Sequence, residues 1–403
     1  MFKLALRNVF RQKVRTGMTL AAIVFGVIGL ILSGGFVHDV FIQLGEAVIH
    51  SQSGHLQVTR AGFYRQGSRA PNEYMISDAA ALKGRIAALP QVSDVMGRIY
   101  FSGLLNNGKT DVSIIGEGIE PDSEAKLGTH IVVTAGRQLR SSDGQGLMLG
   151  EGIARAAGLK PGDQVTLLLN TSAGALNTAD FVIIGVFQTY SKEFDARAVR
   201  IPLAAAQSLL NTEGVNAVVV SLKNTPDTAV VRARLVQRLD PQEFEVITWQ
   251  QLNDFYEKTV DLYRRQFGIL QVIVLFMVLL SVANSVNMST FERVGEFGTM
   301  MALGNSRGHV FRLILVENAI VGLLGGLLGV TFGIVLAFAI SAIGIPMPPP
   351  PNANLGYTAL IRIVPEEIAT AFAVGFLATL GASLLPAKKV GEIPVVDALR
   401  QSI

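Results

Sequence analysis

Four long runs without charged residues divide the chain, and each is long enough to cross a lipid bilayer as an α-helix. They are residues 17–37, 266–290, 313–345 (interrupted only by Glu317) and 368–385. The first run holds about 21 residues, which as a helix reaches roughly 31 Å and so matches the hydrocarbon core of a membrane. The pattern therefore predicts a protein with four transmembrane helices.

Between the first two runs, residues 38–265 show the mixed periodicities of a folded α/β domain. Alternation predicts strands at 98–105 and 111–119, and Asn107-Gly108 between them is a strong hairpin signal. Other predicted strands lie at 54–60, 181–189, 215–222 and 244–249, a strand–helix–strand unit at 146–169, and helices at 77–89, 201–210 and 226–239. A helix over 248–265 is expected to lead into the second span.

The distribution of basic residues predicts the topology. The N-terminal 16 residues carry five basic side chains and no acidic one, and the tail is also basic, so the positive-inside rule places both termini in the cytoplasm. Lys258, Arg264 and Arg265 oppose this assignment, but long translocated domains are largely exempt from the rule. A cleaved signal peptide is the competing interpretation of the first run; the run is longer than a usual signal core and has no clear cleavage site.

The apolar runs and the distribution of basic residues together predict the order of segments along the chain. In chain order it is a cytoplasmic N-terminus with the first span (1–37), a periplasmic α/β domain (38–265), the second span (266–290), a cytoplasmic segment (291–312), the third span (313–345), a periplasmic loop (346–367), the fourth span (368–385) and a cytoplasmic tail (386–403). The prolines at 346 and 348–351 are expected to stop the third helix.

A short charged stretch, Phe291–Gly304, separates the second and third spans. On a helix Glu292 and Glu296 share one face, with Arg293 beside them. Such a helix cannot be buried in lipid, so it lies in the interface plane or against a soluble partner. Physics alone leaves open a solvated helix that merely joins two spans.

The composition of the chain limits the classes of protein to which it can belong. The chain has 403 residues, of which 50% are hydrophobic and 16% charged, with a mean hydropathy of +0.42, too apolar for a wholly soluble protein of this size. The net charge of +3 and the lack of basic runs with interleaved aromatics disfavour nucleic-acid binding. Without cysteine there are no disulfides or thiolate metal sites, although the compartment stays open.

Two motifs resemble nucleotide sites without the required context. Residues 103–110, GLLNNGKT, match the phosphate-loop pattern, but an alternating strand follows where a helix is needed. Residues 32–35, LSGG, resemble an ABC ATPase signature yet lie at the end of the first span, where small residues favour helix packing. The five histidines show no metal-ligand spacing, and His50 and His55 are interpreted as surface residues. The sequence supports no enzyme activity in this chain.

The third span carries an acid and a glycine pattern. Glu317 is the only ionisable residue well inside an apolar run, and a paired or snorkelling role near Arg312 is favoured over a proton relay. The glycines are spaced at three, four and seven residues and predict a close-packing face, within the helix bundle or across a dimer. These glycines are Gly322, Gly325, Gly326, Gly329 and Gly333.

Several phrases resemble the FtsX-like ABC permeases of the macrolide-exporter and lipoprotein-release type. FERVGEFGTMMALG (291–304) is similar to the family's coupling helix, and ALRNVFRQKVRTGMTLAAIVFGV to its N-terminal end. The stretches 146–169 and 182–207 resemble its external domain, and 386–403 its C-terminal signature, with matching residues at Pro386, Pro394, Ala398, Leu399 and Arg400. The resemblance implies an external domain of two subdomains, one inserted in the other, with a boundary near 120–190.

The resemblance also implies site residues. The coupling helix docks on a separate ATPase, and Glu292, Arg293 and Glu296 are the expected contacts. Gly295, Gly298 and Gly304 are expected to allow close approach and helix termination, and Ala302 also matches the motif. Glu317 is implied to have a structural or coupling role, because the family often carries a glutamate there.

The function implied by the resemblance is that of a permease subunit in a bacterial inner membrane. Two permeases, identical or paralogous, would work with two ATPase subunits that bind ATP-Mg, while this chain holds no cofactor. The subunit would extract a lipoprotein or lipid-like cargo from the membrane or drive an efflux channel, with membrane lipids and a periplasmic carrier or adaptor as further partners. A regulatory subunit that signals to a periplasmic partner is the alternative, although the length of 38–265 favours transport. An ion-coupled secondary transporter is disfavoured, because no inverted repeat is evident.

Overall fold

The computed structural model describes residues 2–11, 13–67, 71–171, 174–349, 356–395 and 398. The chain divides into two compact units. The helical unit comprises Met1–Phe41, Val260–Pro346 and Thr358–Ile403, and the sheet domain comprises Ile42–Thr259 with Met347–Tyr357.

The helices and strands are numbered in chain order. The α-helices are α1 (Phe2–Arg11), α2 (Lys13–Val48), α3 (Ala79–Ala87), α4 (Pro121–Leu127), α5 (Glu151–Ala157), α6 (Lys192–Asp195), α7 (Leu203–Leu210), α8 (Thr228–Arg238), α9 (Trp249–Leu252), α10 (Asp254–Glu292), α11 (Val294–Ala302), α12 (Arg307–Ile343) and α13 (Pro365–Glu392). The strands are β1 (Leu56–Arg60), β2 (Val92–Asn106), β3 (Asp111–Ile119), β4 (Val132–Gly136), β5 (Gly146–Gly150), β6 (Gln164–Asn170), β7 (Leu176–Gln188), β8 (Ala198–Pro202), β9 (Ala217–Leu222), β10 (Phe244–Thr248), β11 (Ile345–Met347) and β12 (Tyr357–Ala359).

Four helical stretches are long and apolar enough to cross a membrane, as the sequence predicts. They are Thr16–Ser53, Tyr256–Glu292, Arg307–Ile343 and Pro365–Val390. Each begins or ends beyond its uncharged run, because charge marks where the hydrocarbon ends and not where the backbone hydrogen bonds end. Bounds read from charge alone therefore describe the apolar part of each helix.

Two predicted helix ends differ in the structure. Helix α12 ends before the prolines, at Ile343, and its C-cap Gly344 has φ of 75°, in the left-handed region that favours glycine. Helix α13 continues through Pro386 to Glu392, although the polar tail was expected to begin at 386. A proline removes one donor, and a membrane helix can keep its course past it. Leu399 and Arg400 of the predicted tail signature, together with Pro350 and Pro351, lie outside the described residues.

The sheet domain is built on one ten-stranded mixed sheet. Its strand order is β10-β1-β9-β2-β3-β8-β5-β7-β4, and β6 pairs with both β2 and β7. The β3–β8 and β5–β7 pairs are parallel. The predicted hairpin is confirmed, because β2 and β3 pair from Arg98–Ile119 to Asn106–Asp111 and Gly108 turns with φ of 80°.

The predicted insertion corresponds to one group of strands within this sheet. Strands β4–β7 lie between β3 and β8 in the chain, which agrees with the expected boundary near 120–190. They remain hydrogen-bonded to the rest through β5–β8 and β2–β6, so residues 42–259 form a single compact unit. The two predicted subdomains are thus two parts of one sheet.

Apolar side chains of the strands and covering helices form the main core of the sheet domain. All residues of β9 are buried, and α3, α7 and α8 pack on the sheet. The expected helix at 201–210 starts later, because residues 198–202 form the buried strand β8 and Pro202 precedes the first turn of α7. The expected helix at 248–265 is interrupted at Asn253, between α9 and α10.

Candidate functional site

The charged segment between the second and third spans folds into a short helix, α11, rather than one helix over 291–304. Arg293 separates α10 from α11, with φ of −101° and ψ of 11°. Glu292 therefore belongs to the last turn of α10, and Glu296 to the first turn of α11. The expected common helical face of these two glutamates is replaced by two exposed acids on either side of a break.

Arg293 points into the helical unit and pairs with Glu317 of α12. Its Nη1 and Nη2 atoms lie 2.5 and 3.2 Å from the two carboxylate oxygens, and both residues are less than 10% exposed. Asn8 of α1 donates to Glu317 at 2.6 Å, and Arg293 Nε donates to Glu296 at 3.0 Å. Arg293 is expected to contact an ATPase, but in the structure its side chain is buried against Glu317, so it does not belong to the exposed face.

The electrostatics keep Arg293 charged. Burial by itself would lower the pKa of this guanidinium, but the carboxylates of Glu317 and Glu296 raise it above its usual value. The guanidinium also lies over the Phe297 ring, 4.9 Å from its centroid. The ion pair thus joins α1, the α10–α11 break and α12 at one buried point.

Helix α11 has a buried face and an exposed face. Val294 and Phe297 pack in a small core with Val310, Ile314 and the end of α13. The exposed residues are Glu296, Thr299, Ala302 and Leu303. Leu303 is an apolar side chain that is 81% exposed, and it is not among the predicted contact residues.

The motif glycines occupy distinct positions in this segment. Gly304 has φ of 93° and its N–H donates to Met301 O at 3.0 Å, so it terminates the segment as predicted. Gly298 is buried and Gly295 is half-buried. The exposed Leu303 is only a weak sequence signal of a contact surface, since single exposed apolar residues are common.

The glycine face of α12 packs within the bundle. A Cβ atom at Gly325 would lie 2.9 Å from Ile23 of α2, and one at Gly329 would lie 2.7 Å from Val27. The other three meet α2 or α13 in the same manner. They are Gly322 against Thr379, Gly326 against Phe372 and Gly333 against Ile31. Of the two predicted alternatives, the structure places the close-packing face inside one chain.

The two nucleotide-like motifs have the structural context that the sequence predicts. Residues 103–110 form the end of β2 and its turn into β3, so no helix N-terminus is presented to a phosphate. Residues 32–35 lie inside α2, where Gly35 meets the backbone of Arg362 and Gly34 meets Glu367. Both stretches are therefore structural.

The histidine interpretation is wrong for His55. This side chain is 1% exposed, and burial lowers its pKa to about 4, so the ring is neutral. Its ring lies 5.6 Å from that of His50, which is also 5.6 Å from that of His130. His55 accepts from Leu222 N, and within the described ranges no three potential ligands are arranged to hold a metal ion.

The sheet domain also contains an aromatic cavity of about 430 Å³. Phe63, Tyr64 and Tyr100 line it, and both tyrosine hydroxyls donate to Gln57. Because these polar groups bond to one another, the wall they leave is largely apolar, and the volume suits a small organic group. No local sequence pattern predicts this cavity, since its walls come from segments that are distant in the chain.

Comparison with known proteins identifies the class that this architecture defines. Residues 16–238 match the family described as MacB-like periplasmic core domain, and residues 268–395 match the FtsX-like permease C-terminal family. The chain belongs to this family of ABC transporter permeases, of the MacB, LolC and LolE type.

Three curated relatives illustrate the membership. The lipoprotein-releasing system transmembrane protein LolE of Haemophilus influenzae is 24% identical over 82% of this chain and 83% of its own length. LolC of Neisseria meningitidis is 23% identical over 98% and 95%, respectively. The macrolide export ATP-binding/permease protein MacB of a Shewanella species is 25% identical over 98% of this chain, but over only 60% of its own length.

Proposed function

We propose that this chain is the permease subunit that converts ATP hydrolysis by a separate ATPase into motion of its sheet domain. The observation that carries the proposal is the construction of α11. Its outer face offers Glu296, Thr299 and Leu303 to a partner, while Arg293 fixes its start to Glu317 in α12. Because Arg293 lies between α10 and α11 and is paired with α12, a force on α11 acts on both α10 and α12.

The proposed topology follows from charge. Both termini and α11 lie in the cytoplasm, and the sheet domain lies in the periplasm of a bacterial cell. The basic residues of α1 and of the end of α13 support this assignment, as does the family's description as a periplasmic core domain. ATP and Mg²⁺ bind the partner ATPase and not this chain.

The proposed assembly contains two permeases and two ATPase subunits. Helix α10 is mostly exposed in its apolar stretch, which leaves a broad surface for lipid or for a second permease. The related lipoprotein-releasing and macrolide-export proteins suggest a lipoprotein, a lipid-like molecule or an exported drug as cargo. A periplasmic carrier or adaptor would receive it. The large sheet domain favours cargo handling over regulation of a periplasmic partner alone.

The proposal is tested by co-purification from detergent-solubilised membranes. Glu292→Lys/Glu296→Lys reverses both exposed acids beside the break, and we expect the co-purifying ATPase and its ATP hydrolysis to fall at least about tenfold, because two attractive contacts become repulsive. The matched control is Glu257→Lys/Asp261→Lys, which makes the same change at the same spacing near the other end of α10.

The control separates docking from a general charge effect. We expect it to retain the ATPase at the wild-type level. Equal loss in both double variants, or no ATPase with the wild-type chain, contradicts the docking role of α11. A retained ATPase whose activity does not respond to any lipidated or drug-like cargo favours the regulatory alternative.

A further inference from the structure

The helix of the first span ends inside the sheet domain on a buried cluster of charged side chains. It runs without a break to Ser53, and its last turn, Ile49–Ser53, is a π-helical turn. The final carbonyls of any helix lack partners within that helix. Here Arg98 Nη1 donates to Gln52 O at 2.5 Å, and Arg200 Nη2 donates to Ser51 O at 3.2 Å.

Both arginines come from the sheet and are held in place by carboxylates. Arg98 lies in β2 and its Nε donates to Glu124 of α4 at 2.9 Å. Arg200 lies in β8 and its Nε donates to Glu117 of β3 at 2.8 Å. All four side chains are at most 5% exposed, and Glu117 also lies 3.7 Å from Arg98. The cluster therefore balances two positive and two negative charges away from solvent.

Such a cluster is poorly explained by stability alone. The desolvation of buried charges offsets most of their mutual attraction, and apolar replacements are often as stable. The cluster instead fixes the orientation of the helix end, because each guanidinium has fixed donor geometry and meets the negative end of the helix dipole.

Other contacts hold the same helix end from different sides. His50 bonds to Leu127 O at 3.0 Å, and Thr225 donates to Glu46 at 2.6 Å. Hydrogen bonds therefore hold the last turns of this helix to β2, β8, α4 and the loop at Thr225, in addition to the covalent connection of the backbone.

We propose that Arg98 and Arg200 are positioning residues that clamp the end of the first-span helix to the sheet. Movement of residues 42–53 at the end of that helix is then passed to the sheet without bending at residues 49–54. The use of this motion rests on the proposed function, whereas the clamp itself is a property of the sheet domain.

The clamp is tested with Glu117→Gln/Arg200→Met, which removes both charges of one ion pair and nearly preserves volume. The matched control is Arg137→Met/Asp143→Asn, the same chemistry at an exposed pair with an N–O distance of 2.6 Å. Because a hydrogen bond from a charged donor is lost at the helix end, we expect the amides of residues 49–54 to exchange roughly ten- to a hundredfold faster in the clamp variant only.

A second measurement uses the natural absence of cysteine. Spin labels at Gln43→Cys and Ser113→Cys report the distance between the helix end and β3, with no background thiol. We expect a narrow distribution in wild type and in the exposed-pair control, and a distribution about twice as broad when the clamp is removed.

The 403-residue chain is measured in lipid nanodiscs without nucleotide or ATPase, so failure of the proposed coupling cannot imitate failure of the clamp. Arg200→Lys keeps the charge but not the fork geometry, and we expect it to show an intermediate exchange rate. If both Arg200 variants keep the wild-type exchange rate and label distribution, the clamp is overturned. If the exposed-pair control loosens residues 49–54 equally, it is overturned as well.

Discussion

Glu317→Ala is expected to lower the free energy of unfolding by about 3 to 5 kcal/mol, the usual cost of removing one partner from a buried ion pair. Arg293 would remain buried, with Glu296 as its remaining carboxylate partner in the described part of the chain, and Asn8 would lose its acceptor. Since Arg293 also fixes the start of α11, we expect association with the ATPase to fall with stability. Thermal unfolding in detergent, followed by circular dichroism, measures the first effect.

The control for this experiment is Glu392→Ala, which removes an exposed glutamate at the end of α13 and should change stability by less than about 0.5 kcal/mol. Arg293→Met/Glu317→Met removes both charges and should recover most of the loss, because no unpaired charge remains. Unfolding of Glu317→Ala at the wild-type temperature would contradict the importance of the ion pair.

Glu317→Gln separates coupling from proton transport. The amide keeps the size of the side chain and one oxygen acceptor, so we expect the ATPase to remain bound and part of the function to survive. A variant that binds the ATPase normally but has no function would instead favour an ion-coupled transporter.

Gly329→Leu is expected to destabilise the helical unit by about 3 kcal/mol, at the upper end for overpacked sites. A Cβ atom there would lie 2.7 Å from Val27 and 3.4 Å from the Cα atom of Val24, so the backbones of α12 and α2 must separate. Because both are spans, we expect lower yield of folded protein and a lower unfolding temperature.

Gly268→Leu is the matched control, since a Cβ atom at this position of α10 has no neighbour within 4 Å among the residues that the structure describes. It adds the same side chain to another membrane helix and should leave the unfolding temperature near that of wild type. If the two variants unfold alike, the glycine face of α12 does not carry close packing within the chain.

The sequence alone predicts those parts of the fold that depend on residues close together in the chain. Uncharged runs marked four membrane helices, and Asn107-Gly108 marked the hairpin because that dipeptide tolerates the required backbone conformation. The resemblance to the family rests on motifs such as FERVGEFGTMMALG at 291–304, which a single sequence displays directly.

The features that could not be predicted from the sequence depend on contacts between residues that are distant in the chain. The inward turn of Arg293 follows from its pairing with Glu317, and no local pattern distinguishes this from an exposed arginine. Strand β8 was hidden because its few residues adjoin a helix, and pairing with β3 decides its state. The arginine clamp likewise joins segments that lie far apart in sequence.

The central claim, that α11 is the docking surface for an ATPase, is tested most directly by photo-crosslinking in native membranes. A benzophenone amino acid replaces Thr299 on the exposed face of α11, and Thr370 near the start of α13 serves as the control position. We expect an adduct between this chain and a nucleotide-binding subunit from Thr299, and none with that subunit from Thr370. No such adduct from Thr299, or the same adduct from both positions, would contradict it.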